Sequence, residues 1–169
     1  MITVILSVII AVSAISAIYA YHIKNIVLFS WLKPLTSILI LALAISVHAG
    51  HPTAYSQRII ASLVFAIIGD IYLIEYKYLL KGIIAFSIAH FGFSYAFIGL
   101  YGFYSDWRLL LVLFVFFMSY YLFLRKNLRD FKWAIGIYMI IIMFMNWQAI
   151  GLFLTDQRLR NIGLLIASL

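Results

Sequence analysis

The sequence lacks cysteine and has only two prolines and five acidic residues among 169. Without cysteine there is no disulfide framework, no thiolate metal site and no cysteine nucleophile. Charged residues make up 10% of the chain and hydrophobic residues 67%, whereas a soluble domain is about 25% charged and about 45–50% apolar. This scarcity of charge excludes a soluble globular domain and indicates an integral membrane protein.

Several functional motifs are also missing. No glycine-rich phosphate loop follows a strand and no G-x-S-x-G elbow is present, so no cofactor is predicted. The net charge of +7 comes from Lys and Arg scattered between apolar runs, which form no continuous basic face. Basic loops beside membrane spans are therefore the better interpretation, and no nucleic-acid partner is predicted.

The apolar residues form six runs of helix length. A spanning helix needs about 20 mostly apolar residues, and the runs do not alternate as barrel strands do. The prediction is an all-α, polytopic transmembrane helix bundle, organised as a single domain over residues 1–169. Its six complete spans are predicted at residues 2–20, 26–47, 59–75, 78–100, 107–124 and 131–154.

The two ends of the sequence need separate interpretation. Residues 1–20 lack the positive n-region of a signal peptide and are followed by further apolar spans, so we interpret them as a retained first span. Residues 161–169 are apolar but too short to cross a bilayer, and they resemble the start of a seventh helix. The predicted domain is therefore truncated at its C-terminus.

Alternate loops differ in basic residues. The positive-inside rule places the more basic loops in the cytoplasm and the N-terminus outside. The more basic set contains Lys24, Lys77, Lys81, Arg125, Lys126, Arg129 and Lys132, and the other set contains Arg58, Arg108, Arg158 and Arg160.

Asp70 is the acidic residue that lies deep within a predicted span. An ionised side chain there costs about 2.5–3.5 kcal/mol on insertion scales, which makes it a functional candidate. Burial should keep it protonated, as a general acid, unless a cation or several donors hold it ionised. The alternative is a structural acid that bonds a neighbouring helix. Gly69 before it would let that helix, or a ligand, approach closely.

His90 and Lys33 are two further candidates. His90 shares one face of the fourth span with Gly82, Phe86 and Phe93, and it is either a packing residue or a base. Lys33 precedes Pro34 near the start of the second span. It either extends to the headgroups as an ordinary interfacial lysine or binds an anionic headgroup.

In the sixth span Tyr138 and Asn146 recur on one stripe, with Trp147 beside it. This stripe is either a packing seam or part of a binding site. His48 and His51 have no matching acid or cysteine nearby, so no metal site is predicted there.

These pieces together resemble the YhhN family of membrane proteins, which includes the lysoplasmalogenases. The resemblance runs from about residue 27 to the end. It rests on KPL at 33–35, IGDI at 68–71, GIIAF at 82–86, AH at 89–90, and Tyr138 followed by MNWQA at 145–149.

The resemblance implies an eight-helix enzyme that hydrolyses the vinyl ether bond of lysoplasmalogens to a fatty aldehyde and a glycerophospho-base. It implies that Asp70 pairs with a second aspartate, in a Ser-Asp motif on the seventh helix, which this sequence does not contain. It also implies a lysophospholipid site formed by Lys33, His90, Tyr138, Asn146 and Trp147. A family tyrosine three residues after the histidine is Phe93 here.

Two other functions stay open from the sequence. One is a small transporter or lipid-binding bundle in which Asp70 and His90 relay protons or hold a headgroup. The other is an inactive fragment of such an enzyme. The expected location is the bilayer of a bacterial inner membrane, and the sequence does not indicate an oligomeric state.

Overall fold

The computed structural model describes residues 2–128 and 131–155, and the described part is helical with no strand. It contains six long helices, each long and apolar enough to cross a membrane, so the predicted number of spans and the all-α class are confirmed. The expected start of a seventh helix lies outside the described residues. The helices are α1 (Ile2–His22), α2 (Ile26–Gly50), α3 (Ala54–Tyr72), α4 (Leu79–Tyr101), α5 (Trp107–Leu124) and α6 (Lys132–Thr155).

Polar side chains cap the first turns of α2 and α5. Asn25 caps α2 by accepting the backbone N–H of Leu28 at 3.1 Å, and Asp106 caps α5 by accepting that of Arg108 at 2.8 Å. Such caps satisfy N–H groups that have no partner inside the helix. Pro34 lies inside α2, which continues to Gly50. The proline is therefore accommodated within the helix.

The predicted bounds of the third span were wrong at both ends. We predicted residues 59–75, but α3 begins at Ala54 and ends at Tyr72. Thr53 and Ser56 form a capping box, in which each side chain binds the other residue's backbone N–H. A capping box begins a helix irrespective of hydropathy, so the polar residues 54–58 extend α3.

The chain divides into two compact units, Met1–Ala89 and His90–Leu169. In the first unit α1 packs against α2, and α2 packs against α3. The Oγ atoms of Ser13 and Thr36 lie 2.7 Å apart in a hydrogen bond between α1 and α2. Gly69 on α3 lets the ring of Phe86 approach, because a Cβ there would lie 2.6 Å from Phe86 Cδ2. The predicted role of Gly69 in close approach is confirmed.

In the second unit α5 packs against α6. Residues Met145, Asn146, Trp147, Gln148 and Ala149 are all buried, which covers every side of α6 at that level. Gly136 of α6 faces Tyr121 of α5, where an added Cβ would lie 3.3 Å from the ring. This buried segment of α6 is the core of the unit.

Candidate functional site

Asp70 forms an ion pair with Lys33 in the first unit. The Nζ atom of Lys33 lies 3.1 Å from Oδ1 of Asp70. The hydroxyl of Ser37 donates a hydrogen bond to the other carboxylate oxygen, Oδ2. Asp70 is 6% exposed, whereas the side chain of Lys33 is 35% exposed. The carboxylate is therefore the buried member of the pair.

The helical repeat explains how α2 provides both partners. Lys33 and Ser37 are four residues apart, so their side chains lie one above the other on the same face of α2. Asp70 lies in the last turn of α3, which packs against α2. Lys33 and Ser37 of α2 therefore each contact one carboxylate oxygen of Asp70 on α3.

Both carboxyl oxygens of Asp70 face a donor group on α2. A charge in a medium of low dielectric constant interacts strongly with an opposite charge at about 3 Å, and a donated hydrogen bond adds to this. An ammonium on one oxygen and a hydroxyl donor on the other make this side chain an acceptor of hydrogen bonds in the structure.

The sequence did not predict this pairing. We expected Lys33 to extend to the headgroups or to bind an anionic headgroup, which stays a prediction, and the structure adds a contact between its ammonium and Asp70. Ser37 was not predicted as a site residue at all. Its spacing of four from Lys33 was the available signal, but a serine on an apolar helix face usually bonds its own helix.

Two of the expected site residues contact each other in the second unit. The ring centroids of His90 and Tyr138 are 5.4 Å apart in an edge-to-face arrangement. The ring of Phe93 lies 6.4 Å from that of His90. Tyr138 and Asn146 lie eight residues apart on α6, on one face. The structure therefore brings His90 to the predicted stripe of α6.

Asn146 carries an unpaired buried acceptor. The residue is 3% exposed, and its Nδ2 donates to the carbonyl of Ile142 at 3.0 Å. Among the described residues no group donates to its Oδ1. Buried acceptors are almost always paired, so this oxygen is a candidate site for a hydroxyl group or a water molecule.

Trp147 and Gln148 hold the segment before α5. The indole N–H of Trp147 donates to the carbonyl of Asp106 at 3.1 Å. The Gln148 amide accepts the N–H of Tyr104 at 3.0 Å and donates to its carbonyl at 3.2 Å. We predicted that Trp147 binds substrate. In the structure its indole N–H donates a hydrogen bond within the protein. Gln148 belongs to the MNWQA motif, but it was not predicted as a site residue.

The described residues contain no group of three or more His, Cys, Asp or Glu side chains that could hold a metal ion. The ring Nδ1 of His48 lies 2.6 Å from the hydroxyl of Ser56. This histidine therefore takes part in the capping arrangement at the start of α3.

Comparison with known proteins gives one family and one curated relative. Residues 28–169 match the model of the YhhN family. A stretch of 108 residues is 34% identical to the lysoplasmalogenase TMEM86A of Bos taurus, and it covers 60% of this chain and 41% of the relative. The chain thus spans about two fifths of that relative's length. No solved structure matches the chain.

Proposed function

The chain belongs to the YhhN family, and from this premise we propose that it acts in the hydrolysis of the vinyl ether bond of a lysoplasmalogen. The support is the similarity to a protein named lysoplasmalogenase together with an ion-paired carboxylate inside a membrane-spanning helix. The substrate is then a lysophospholipid that reaches the site from the bilayer. The products are a fatty aldehyde and a glycerophospho-base.

The first step of the reaction needs a proton donor, and the later addition of water needs a carboxylate. A proton adds to the alkene carbon and leaves an oxocarbenium ion. Water adds to this ion, and the resulting hemiacetal collapses to the aldehyde and the alcohol. Two carboxyl groups in unlike environments can divide these roles. Because both carboxyl oxygens of Asp70 accept contacts from donors, Lys33 and Ser37, we assign Asp70 to the second role, in which it stabilises the cation or accepts a proton from water.

The first proton then comes from a second carboxylic acid, as the family resemblance implies. In this proposal Lys33 is a positioning residue for Asp70 and contacts the substrate only at the exposed part of its side chain. The observation that carries the assignment is the 3.1 Å contact between Lys33 Nζ and Asp70 Oδ1.

The remaining predicted residues have roles that follow from their chemistry. Oδ1 of Asn146 is an acceptor, so it holds a water molecule or the free glycerol hydroxyl and not the ether oxygen. His90 contacts Tyr138 of the same stripe, and in this proposal the two side chains orient that hydroxyl or water. Trp147 holds the segment that contains Asp106 through its indole N–H.

Product analysis in deuterium oxide tests the reaction type. The full natural chain, purified in detergent, is incubated with a lysoplasmalogen, and the products are identified by mass spectrometry. Hydrolysis through carbon protonation gives an aldehyde with one deuterium on the carbon next to the carbonyl group. Release of a fatty acid, or of no product from folded protein, would contradict the proposal. Proton flux in vesicles would then support a transporter.

We also propose a bacterial inner membrane as the location, with the more basic loops in the cytoplasm. The excess of Lys and Arg in the loops that carry Lys24, Lys77 and Lys81 supports this orientation. Labelling of a cysteine introduced at Lys77 from one side of sealed inner-membrane vesicles tests it. Labelling only from the periplasmic side would show that the orientation is inverted.

A further inference from the structure

The first unit contains a cavity beside the Lys33 and Asp70 pair. It has a volume of about 510 Å³ and lies at the end of α1, the start of α2 and the end of α3. Its polar lining includes His22, Lys24 and Ser30, and its apolar lining includes Phe29 and Leu73. Such a mixed surface fits an amphipathic ligand with a charged group.

The cavity lies about one helical turn from the ion pair. Ser30 precedes Lys33 by three residues on α2, and Leu73 follows Asp70 by three residues at the end of α3. One turn of helix rises about 5.4 Å. In a lysophospholipid, five covalent bonds of about 1.5 Å separate the phosphorus from the ether oxygen, so the two atoms are roughly 6 Å apart when extended. A phosphate in the cavity therefore allows the ether bond to reach Asp70.

The charge of the cavity suits an anion. None of the lining residues is acidic, and Lys24 takes part in no salt bridge within residues 2–128 and 131–155. The nearest acid in sequence is the exposed Glu75, which follows Ile74 at the edge of the cavity. The α2 N-terminus at Ile26 also lines the cavity, and its partial positive charge adds to that of Lys24.

The backbone holds Lys24 in an unusual conformation. Lys24 has a φ of +56°, and its N–H binds the carbonyl of Tyr21 while the N–H of Asn25 binds that of Ala20. These two bonds form a Schellman motif at the end of α1, whose left-handed position is usually glycine. A lysine there carries backbone strain that a glycine would not. Strain of this kind at a cavity points to a functional side chain.

We propose that this cavity binds the phosphate group of a single-chain phospholipid, with Lys24 as its charged ligand and the Ser30 hydroxyl as a further donor. The identity of the lipid rests on the proposed function. The family match begins at residue 28, so neither Lys24 nor His22 belongs to the matched region. The proposed charged ligand therefore lies outside the matched region, whereas Ser30 lies within it.

The test is a binding measurement that needs no catalysis. Palmitoyl lysophosphatidylethanolamine, whose ester bond replaces the vinyl ether, is titrated against the full natural chain in a neutral detergent. Palmitoyl monoacylglycerol is the comparison ligand without phosphate. Lys24→Gly should weaken binding of the phospholipid about three- to tenfold, the effect of losing one partly exposed charged contact. Binding of the monoacylglycerol should not change.

The variant is chosen so that it does not unfold the protein. Glycine is the residue that the left-handed position prefers, so the unfolding temperature of Lys24→Gly should be unchanged or higher. Lys24→Arg should retain binding because it keeps the positive charge. Lys126→Gln, an exposed cation of the second unit, is the control for loss of charge alone and should also retain binding.

Three results would overturn the phosphate site. They are equal affinity of Lys24→Gly and the natural chain for the phospholipid, equal weakening for both lipids, and binding of inorganic phosphate as tight as that of the lipid. The failure of the site is distinguishable from the failure of the proposed function. Aldehyde release with an unchanged KM in Lys24→Gly would reject only the site, whereas binding that depends on Lys24 without aldehyde release would reject only the reaction.

Discussion

A carboxylate inside a membrane-spanning helix is costly, and at the residue scale Asp70 shows which side chains offset this cost. The sequence predicted Asp70 as a candidate because an acid in an apolar run is rare. It did not predict the partners, because Lys33 and Ser37 lie on another helix and the register between helices depends on packing. The sequence therefore identified the carboxyl group, and the structure identified the two side chains that contact it.

A double-mutant cycle tests the ion pair. Asp70→Asn and Lys33→Met should each lower the free energy of unfolding by about 1–3 kcal/mol, because each leaves a polar partner unpaired. The double variant should lose less than the sum of the two, since neither charge remains. Thermal unfolding in detergent measures this, with Glu75→Gln as the exposed control. Additive losses would show that the two side chains do not interact.

Asn146→Leu tests the unpaired acceptor. Leucine has a similar shape, so the free energy of unfolding should change by no more than about 1 kcal/mol. If Oδ1 holds the reacting water or the substrate hydroxyl, kcat/KM for a lysoplasmalogen should fall by about tenfold or more. Met145→Leu, at the adjacent buried position, should leave kcat/KM close to its original value. An active Asn146→Leu protein would assign Asn146 to packing alone.

At the scale of helices, hydropathy predicted the number of spans and most of their positions. The prediction was wrong for the third span, because Thr53 and Ser56 begin α3 among polar residues. Hydropathy also could not predict which glycine permits which contact. That information depends on the facing helix, as the contact between Gly69 and Phe86 shows.

Gly69→Ala should destabilise the packing of α3 in the first unit. The new Cβ would lie 2.6 Å from Phe86 Cδ2, and overpacking of this kind costs about 1–3 kcal/mol. The second substitution Phe86→Leu should recover part of the loss by removing the ring. Thermal unfolding measures both. Gly50→Ala is the control, because a Cβ there meets nothing within 4 Å, and an equal loss in that variant would contradict the account.

Gln148→Leu should release the segment before α5. It removes both hydrogen bonds to the backbone of Tyr104, which together contribute about 1–3 kcal/mol. Hydrogen exchange of the Tyr104 amide should become faster, while amides within α6 should not change. Gln57→Leu, at an exposed position of α3, serves as the control. Unchanged exchange at Tyr104 would show that other contacts hold the segment.

At the scale of the whole molecule, composition was enough to predict an integral membrane protein, and the structure has six helices long and apolar enough to span a membrane. The family came from short motifs whose joint order was informative although each was weak alone. Composition and spacing did not predict the reaction, because the chemistry depends on a few polar groups that packing brings together. The ion pair of Lys33 and Asp70, which packing brings together within the first unit, is such a pair of groups.

The most direct test of the central claim is aldehyde release by Asp70→Asn in the full natural chain. The amide keeps the shape of the carboxylate but cannot accept the proton or stabilise the cation as an anion does. The kcat of Asp70→Asn should fall by at least about a hundredfold. The variant should still fold and should still bind lysophosphatidylethanolamine. Full activity in folded Asp70→Asn would contradict the role of Asp70.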